Sequence, residues 1–281
     1  MKRLLLTGSS GLLGSCILQR LEGEFELLAP SRDRMDITDA AAVSKLVRGF
    51  SPEWIVHLAA FTDMDRAEAE KEKARFVNLT GTENLVEAAK SIGAKLLFAS
   101  TNYIFGGKGS SPYKPYDPPC PVNYYGYTKY LAEVKGKEIL GEDFIIARFG
   151  WGIWKSKRSV KLINRLPDIV REGKPLKLAD DNLQSISYAP DIAEGIRVII
   201  ERGLTGIFHL VNEGEATSYE LVKFLLSRMG YDNYPVEKVG LDSISFPARR
   251  QKYGVLAITP PVVLRPWQKA IEDFAKRMRE N

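Results

Sequence analysis

Short apolar runs alternate with helical patterns along residues 1–150 of this 281-residue chain. Alternating units of this kind assemble into a parallel sheet that carries helices on both faces. The alternation therefore predicts an α/β fold with a doubly wound, Rossmann-like parallel sheet. The predicted strands are residues 3–7, 25–29, 54–58, 95–99 and 144–147.

The pattern loosens after Gly152, which predicts a mixed region over residues 151–281. We expect this region to add late elements to the sheet, among them a strand at 206–211, and to form a smaller substrate lobe. The other predicted elements are a basic loop at 155–158, a strand at 176–179, and helices at 38–49, 67–92 (bent near 78–81), 160–171, 188–202, 217–229 and 267–279.

Three glycines stand between the first strand and the first helix: Gly8, Gly11 and Gly14. In a dinucleotide-binding turn, one glycine makes the turn, one lets the backbone approach the pyrophosphate, and one lets the helix pack on the strand. The positive end of the helix then faces the phosphates. Glycine-rich turns also occur in α/β proteins that bind no phosphate, but the strand–turn–helix context favours a dinucleotide cofactor.

The end of the second strand bears on the choice between NADPH and NADH. An NAD site usually places a carboxylate here to hold the ribose 2′-hydroxyl. This chain places Ser31 and Arg32 there, which suit a 2′-phosphate, so we predict NADPH. Asp33, one residue further on, leaves NADH open. Asp36 and Ile37 are expected to border the adenine.

A hydroxyl, a phenol and an amine are predicted to converge beyond the fourth strand. Thr101 follows that strand, and Tyr125 and Lys129 lie four residues apart on one helix face. Such a set can protonate a carbonyl oxygen during hydride transfer. We expect the Lys129 ammonium to lower the pKa of Tyr125 by stabilising the phenolate. The Tyr-x-x-x-Lys spacing recurs at 219–223 and 234–238, where no strand ending in Ser-Thr precedes it.

Composition argues against several other classes of protein. The net charge of +5 is spread along the chain without a nucleic-acid-binding motif, so we predict no nucleic-acid partner. No stretch reaches the roughly 20 apolar residues that span a bilayer. Two cysteines, with no Cys/His spacing for a metal, predict reduced thiols, no metal and a cytoplasmic protein. His57, inside an apolar run, is expected to be a core residue.

Taken together, these motifs resemble the extended short-chain dehydrogenase/reductase family, and within it the dTDP-4-dehydrorhamnose reductase branch. The resemblance covers most of residues 1–245. It is carried by the glycine motif, residues 36–39, 59–62 and 65–70, Val77 and Asn78, residues 100–105 and 125–129, and Trp151 after Arg148.

The resemblance implies a function and a set of site residues. The family reduces the 4-keto group of a dTDP-linked 6-deoxy sugar, with the tyrosine as proton donor. The catalytic set implied is Thr101, Tyr125 and Lys129, of which Tyr125 and Lys129 also meet the cofactor. Further cofactor contacts are implied for Gly11, Leu12, Leu13, Asp36, Ile37, Ala60, Phe61 and Thr62. Tyr103 and Trp151, with Thr101, would meet the sugar, and a homodimer is expected by analogy.

The chain also departs from the pattern of this branch. Asn102 and Gly106 replace aspartates and Pro115 replaces a glutamate, while residues 180–187 and 248–253 lack the usual Gly-x-Pro-Thr and Arg-Pro-x-x-Ser. These departures concern mainly the substrate lobe, so they leave the identity of the sugar nucleotide open. Two alternatives also stay open: an epimerase-type enzyme and a non-catalytic, cofactor-binding regulatory subunit.

Overall fold

A computed structural model describes residues 1–155 and 162–279 as an α/β fold. The strands are β1 (Arg3–Thr7), β2 (Glu26–Leu28), β3 (Trp54–His57), β4 (Lys95–Thr101), β5 (Phe144–Phe149), β6 (Trp151–Ile153), β7 (Leu176–Ala179), β8 (Leu183–Tyr188), β9 (Ile207–His209), β10 (Asn212–Glu213), β11 (Glu215–Ala216), β12 (Val236–Val239), β13 (Tyr253–Gly254) and β14 (Leu264–Pro266). The helices are α1 (Leu12–Leu21), α2 (Ala40–Phe50), α3 (Met64–Ala69), α4 (Lys71–Arg75), α5 (Gly81–Ile92), α6 (Tyr124–Leu140), α7 (Leu162–Arg171), α8 (Ala189–Arg202), α9 (Ser218–Arg228) and α10 (Trp267–Arg279).

The central sheet has six parallel strands in the order β2-β1-β3-β4-β5-β9. Helices cover both faces of this sheet. Successive side chains of a strand point to opposite sides of the sheet, so alternate residues of β1 pack against different helices. Leu4 and Leu6 pack with α1 and α8, whereas Leu5 packs with α2 and α5. The predicted doubly wound, Rossmann-like sheet is confirmed.

The chain's second part completes this sheet, since β9 pairs with β5 and α8 packs beside α1. The predicted strand at 206–211 is therefore present, although it is shorter. β2 and β3 flank β1 on opposite sides, so the connections after β1 and β2 run in opposite directions. The resulting crevice at the carboxyl ends of the strands is where such sheets bind ligands.

The long helix predicted over residues 67–92 is interrupted. Glu70 leaves helical geometry between α3 and α4, so continuity across that residue was wrongly predicted. The distortion predicted near 78–81 is present as a π-helical turn, Phe76–Thr80, between α4 and α5. Single π-helical turns inside α-helices are frequent at functional sites. This one places Asn78 toward the sheet, fully buried.

A second core lies within the region expected to form the substrate lobe, and that name is kept for it here. Ile186 and Tyr188 of β8 pack with apolar side chains of α7, α9 and α10, among them Leu225 and Phe274. β8 pairs with β6, β11 and β13, three short strands that the hydropathy pattern did not predict. Residues 156–158 of the predicted basic loop and residues 160 and 161 of the predicted helix at 160–171 lie outside the described part of the chain. No helix within the described residues is long and apolar enough to cross a membrane.

Candidate active site

A cavity of about 1040 Å³ lies beyond the carboxyl ends of β1, β3, β4 and β5, beneath the substrate lobe. Pockets for single small ligands usually hold about 300–1,000 Å³. This cavity slightly exceeds that range, and its lining comes from both parts of the chain. It therefore has room for more than one small ligand.

The glycine turn forms one wall of the cavity. Gly8 has a φ of +72°, and a Cβ atom there would lie 2.6 Å from the Ala59 backbone nitrogen. A Cβ atom on Gly14 would collide with the Gly8 carbonyl oxygen. The amide of Gly11 donates to that same oxygen at 3.0 Å, and α1 begins at the next residue. Only glycine fits this turn, which leaves the backbone open to a pyrophosphate at a helix N-terminus.

Arg32 lines the cavity where the adenosine half of a dinucleotide would lie. Its Nε donates to the Asp36 carboxylate at 2.9 Å, while its side chain is 76% exposed and so free to move. Two hydrogen bonds from Thr38 lower the pKa of Asp36, and the one from the backbone amide has the larger effect. Asp36 and Ile37 also line the cavity. Ser31 is exposed and is not part of the lining.

The loop after β3 is fixed from behind by Asn78. The Asn78 side chain accepts from the Phe61 amide at 2.7 Å and donates to the Phe61 carbonyl at 3.1 Å. Its Nδ2 also donates to Thr128 of α6 at 2.9 Å. Ala60 and Thr62 consequently line the cavity. The Phe61 ring does not line it, because it lies under the cations of Arg66 and Lys73 on the surface.

The three predicted catalytic residues all line this cavity. Thr101 ends β4, and its Oγ1 accepts from the Tyr103 amide at 3.2 Å. Tyr125 and Lys129 lie one turn apart on α6, which is capped by the Asn123 side chain accepting from the Gly126 amide at 2.8 Å. The fold therefore brings together the hydroxyl, phenol and amine that the sequence pattern singled out.

Burial controls the protonation of this set. It raises the pKa of Tyr125 to about 12, and a hydrogen bond with Thr101 only partly opposes the shift. The expected lowering of the Tyr125 pKa is therefore wrong in direction. Burial also lowers the pKa of Lys129 to about 7, against the attraction of Glu133. The Lys129 Nζ lies 3.9 Å from the centroid of the Phe98 ring, which favours the charged amine.

The other end of the cavity belongs to the substrate lobe. Tyr103 and Trp151, which the resemblance implies as sugar contacts, line it, and burial raises the pKa of Tyr103. Most of the remaining lining was not predicted as site residues from the sequence; it includes Asp65, Asn182, Gln184, Ser218, Phe246, Arg250 and Gln251. Arg250 Nη2 binds Asp65 at 2.9 Å across 185 positions of sequence. No local motif links residues so far apart.

Two other expectations concern histidine and metal. His57 is 1% exposed, with its two ring nitrogens 2.8 Å from Thr7 Oγ1 and 3.0 Å from Thr82 Oγ1. Burial holds its pKa well below the usual value, so it is a neutral core residue, as predicted. In the described ranges, no group of three or more His, Cys, Asp or Glu side chains could hold a metal ion.

Fold and site together define the extended short-chain dehydrogenase/reductase class. A doubly wound sheet carries a glycine turn at its first strand and a Thr, Tyr and Lys set on the fourth strand and α6. The model of one family, described as RmlD substrate binding domain, matches residues 1–280. The chain belongs to that family.

Individual relatives agree with this membership along nearly the whole chain. A dTDP-4-keto-6-deoxy-D-glucose reductase of Streptomyces niveus is 30% identical, covering 96% of this chain and 95% of that protein. The crystal structure of a dTDP-4-dehydrorhamnose reductase from Clostridium acetobutylicum matches with a TM-score of 0.91 at 26% identity, covering 99% of each chain. One from Bacillus anthracis, in complex with NADP, matches with a TM-score of 0.89 at 28% identity, covering 98% of this chain and 99% of that chain.

Proposed function

We propose that this protein uses NADPH to reduce the 4-keto group of a dTDP-linked 6-deoxy sugar. The observation that carries the proposal is the placement of Thr101, Tyr125 and Lys129 on the same cavity as the glycine turn. The names of the relatives, reductases of such sugars from Streptomyces niveus and Clostridium acetobutylicum, supply the substrate class. A cavity lined from both parts of the chain suits a cofactor and a nucleotide sugar together.

In this proposal the side chains divide the proton chemistry between them. NADPH, when bound, supplies the hydride. The pKa of about 12 keeps the Tyr125 phenol protonated at neutral pH, the form that donates a proton to the forming alkoxide. Thr101 hydrogen-bonds to Tyr125 and so holds the phenol at the carbonyl oxygen. Lys129, one helical turn from Tyr125, has a pKa of about 7, and its protonated form would stabilise the phenolate left after transfer.

The cofactor preference rests on Arg32. The guanidinium lines the cavity and is exposed, so it can turn from Asp36 toward a 2′-phosphate. A planar guanidinium binds phosphate oxygens in pairs, which the 2′-hydroxyl of NADH does not offer. The NADP-bound relative from Bacillus anthracis supports the same choice.

Asn102 argues against elimination of water as the reaction. It directly follows Thr101, the position where a sugar dehydratase of this class would need an acid, and an amide cannot donate a proton as an acid does. Both ends of the Asn102 amide are also occupied by protein groups. Reduction without elimination is therefore the chemistry that the residues favour.

The test is oxidation of NADPH, then NADH, followed by absorbance with a panel of nucleotide-linked 4-keto-6-deoxy sugars. Turnover with a dTDP-linked member is expected, with NADPH preferred. Interconversion of sugars without net NADPH consumption would instead establish the epimerase-type alternative. Binding of NADPH without any conversion would support the regulatory-subunit alternative.

We also propose that the protein is a cytoplasmic homodimer that needs neither nucleic acid nor a membrane surface. The support is the family resemblance and the absence of a nucleic-acid-binding motif in the sequence. Light scattering coupled to gel filtration would give the mass directly. A mass near the 31.5 kDa of one chain would contradict the dimer.

A further inference from the structure

A closed ring of amide hydrogen bonds lies next to Thr101. Asn102 Nδ2 donates to Gln184 Oε1 at 3.0 Å, and Gln184 Nε2 donates to the Gln251 carbonyl at 3.0 Å. Gln251 Nε2 completes the ring by donating to the Asn102 carbonyl at 3.0 Å. We call these three residues the amide ring. Its members are 2%, 6% and 2% exposed, in that order.

Backbone carbonyls fix the orientation of each amide in the ring. Asn102 Nδ2 also donates to the Gly254 carbonyl at 2.9 Å, and Gln251 Nε2 to the Phe105 carbonyl at 2.7 Å. Carbonyl oxygens only accept, so all three amide nitrogens must face them. Turning any one amide would place two acceptors against each other.

The ring joins the two parts of the chain at the cavity. Asn102 follows the last residue of β4, Gln184 belongs to β8 of the substrate lobe, and Gln251 precedes β13. All three line the cavity. The Thr101 Oγ1 donates to Asn102 Oδ1 at 3.4 Å, so the ring touches the Thr101 hydroxyl directly.

Two glycines make room for the ring. A Cβ atom on Gly254 would lie 2.6 Å from Asn102 Nδ2 and would collide with Gln184 Oε1. A Cβ atom on Gly107, whose φ is +70°, would lie 2.9 Å from Gln251 Cγ. One acceptor, Gln251 Oε1, is buried without a hydrogen-bond partner. An orphaned buried acceptor costs stability, and the ring is formed in spite of it.

We propose that the amide ring positions the substrate lobe against Thr101, so that the sugar and the Thr101 hydroxyl keep one geometry. This inference rests on the proposed function, because it assigns Asn102, Gln184 and Gln251 as positioning residues for that reaction. They act through Thr101 and the lobe. Misplacement of reacting groups by about 1 Å can cost a hundredfold in rate.

The first test needs no sugar substrate. Hydrogen exchange would be followed in the full-length protein with NADPH present, for Asn102→Ala, Gln184→Ala, the double variant and Gly254→Ala. We expect exchange of residues 251–256 to accelerate at least tenfold in each, with β1 and α1 unaffected. Gly254→Ala removes no polar group and disturbs the ring only through a methyl group that would collide with Gln184 Oε1. It therefore tests the ring when an amide variant folds poorly. Unchanged exchange in Gly254→Ala and in the amide variants would overturn the proposal.

Kinetics with a dTDP-4-keto-6-deoxy sugar separate positioning from simple stability. The KM for the sugar should rise about tenfold, while the KM for NADPH stays within twofold. Because the ring acts as a unit, the double variant should be no worse than either single variant. Additive losses, or equal losses for sugar and NADPH, would contradict the proposal. If the wild type converts no 4-keto sugar, the proposed reduction fails, and the exchange experiment still decides the ring.

Two control variants match the substitutions. Asn212→Ala removes another asparagine, 1% exposed, whose Nδ2 donates to Asp191 at 2.7 Å and to the Arg265 carbonyl at 3.0 Å, away from the cavity. It should lower stability without changing exchange at 251–256 or the KM for the sugar. Gly49→Ala adds a methyl group where nothing lies within 4 Å, and should change neither.

Discussion

Glu133 and Arg148 form a buried ion pair one helical turn beyond Lys129 on α6. Arg148 donates from Nε at 2.9 Å and from Nη2 at 2.7 Å to the two oxygens of Glu133, and the side chains are 6% and 5% exposed. Ser100 Oγ donates to the same carboxylate at 2.5 Å. The pair thereby ties α6, which carries Tyr125, to the ends of β4 and β5.

Arg148→Met should cost about 3 kcal/mol of unfolding free energy, because it leaves the Glu133 carboxylate buried without its cation. Urea unfolding measures the loss. Lys135→Met is the matched control, since Lys135 pairs with Glu138 on the surface at 3.1 Å and such pairs contribute at most about 1 kcal/mol. Equal losses in both variants would contradict the role of burial.

Tyr125→Phe should lower turnover about 10²–10⁴-fold while the dissociation constant for NADPH stays within about twofold, since a positioned acid contributes roughly that factor. Steady-state kinetics and fluorescence titration with NADPH provide the two numbers. Tyr127→Phe, on the same helix but 43% exposed, should behave as wild type. An active Tyr125→Phe enzyme would refute Tyr125 as proton donor.

Arg32→Ala should weaken NADPH binding about tenfold, equivalent to roughly 1.4 kcal/mol, and leave NADH binding within about twofold. The reason is that only NADPH carries the 2′-phosphate that the guanidinium would pair with. Titration of each cofactor measures both constants. Arg34→Ala is the control, because Arg34 is exposed and lies outside the cavity lining. Equal weakening of both cofactors would remove the 2′-phosphate argument.

Lys129→Met should change how stability depends on pH. Burial lowers the Lys129 pKa from 10.5 to about 7 in the folded protein, so between these values the unfolded chain binds a proton that the folded protein does not. Stability from this group then rises with pH, by at most about 1.4 kcal/mol per pH unit. The variant should lose that slope, and exceed wild-type stability most near pH 7.

The measurement for Lys129→Met is urea unfolding of the cofactor-free protein in steps between pH 7 and 10. The series stops at pH 10 because Tyr125 also affects stability above that pH. Its raised pKa makes the free energy of unfolding fall as the pH rises above 10. Lys90→Met, at an exposed position of α5, should leave the wild-type slope intact. Parallel curves for Lys129→Met and wild type would contradict the buried, partly neutral amine.

Local patterns predicted the Rossmann-like half well because its signals lie within short windows of sequence. The β1–turn–α1 unit needs only residues 3–21, where apolar alternation, three glycines and one helix coincide. Helix spacing likewise placed Tyr125 and Lys129 together. Helix periodicity wrongly predicted a continuous helix at Glu70, where the apolar pattern continues although the backbone leaves helical geometry. Local patterns also failed for β6, β11 and β13, which are too short to show a period.

Phe61 and Ser31 show the limit of predicting contacts from a residue's position in the sequence. The Phe61 backbone is held by Asn78 while its ring lies under surface cations, and Ser31 is exposed and outside the cavity lining. A motif fixes which residue stands at a position. The direction of its side chain depends on neighbours that come from other segments.

By itself the sequence determined the doubly wound sheet, the glycine turn and the Thr101, Tyr125 and Lys129 set, because hydropathy period and backbone preference act between near neighbours. Only the tertiary structure decided the pKa direction of Tyr125 and the pairing of Arg250 with Asp65. It also decided the ring of Asn102, Gln184 and Gln251. Desolvation and long-range hydrogen bonds depend on what the whole chain packs around a group, and no local stretch of residues encodes that.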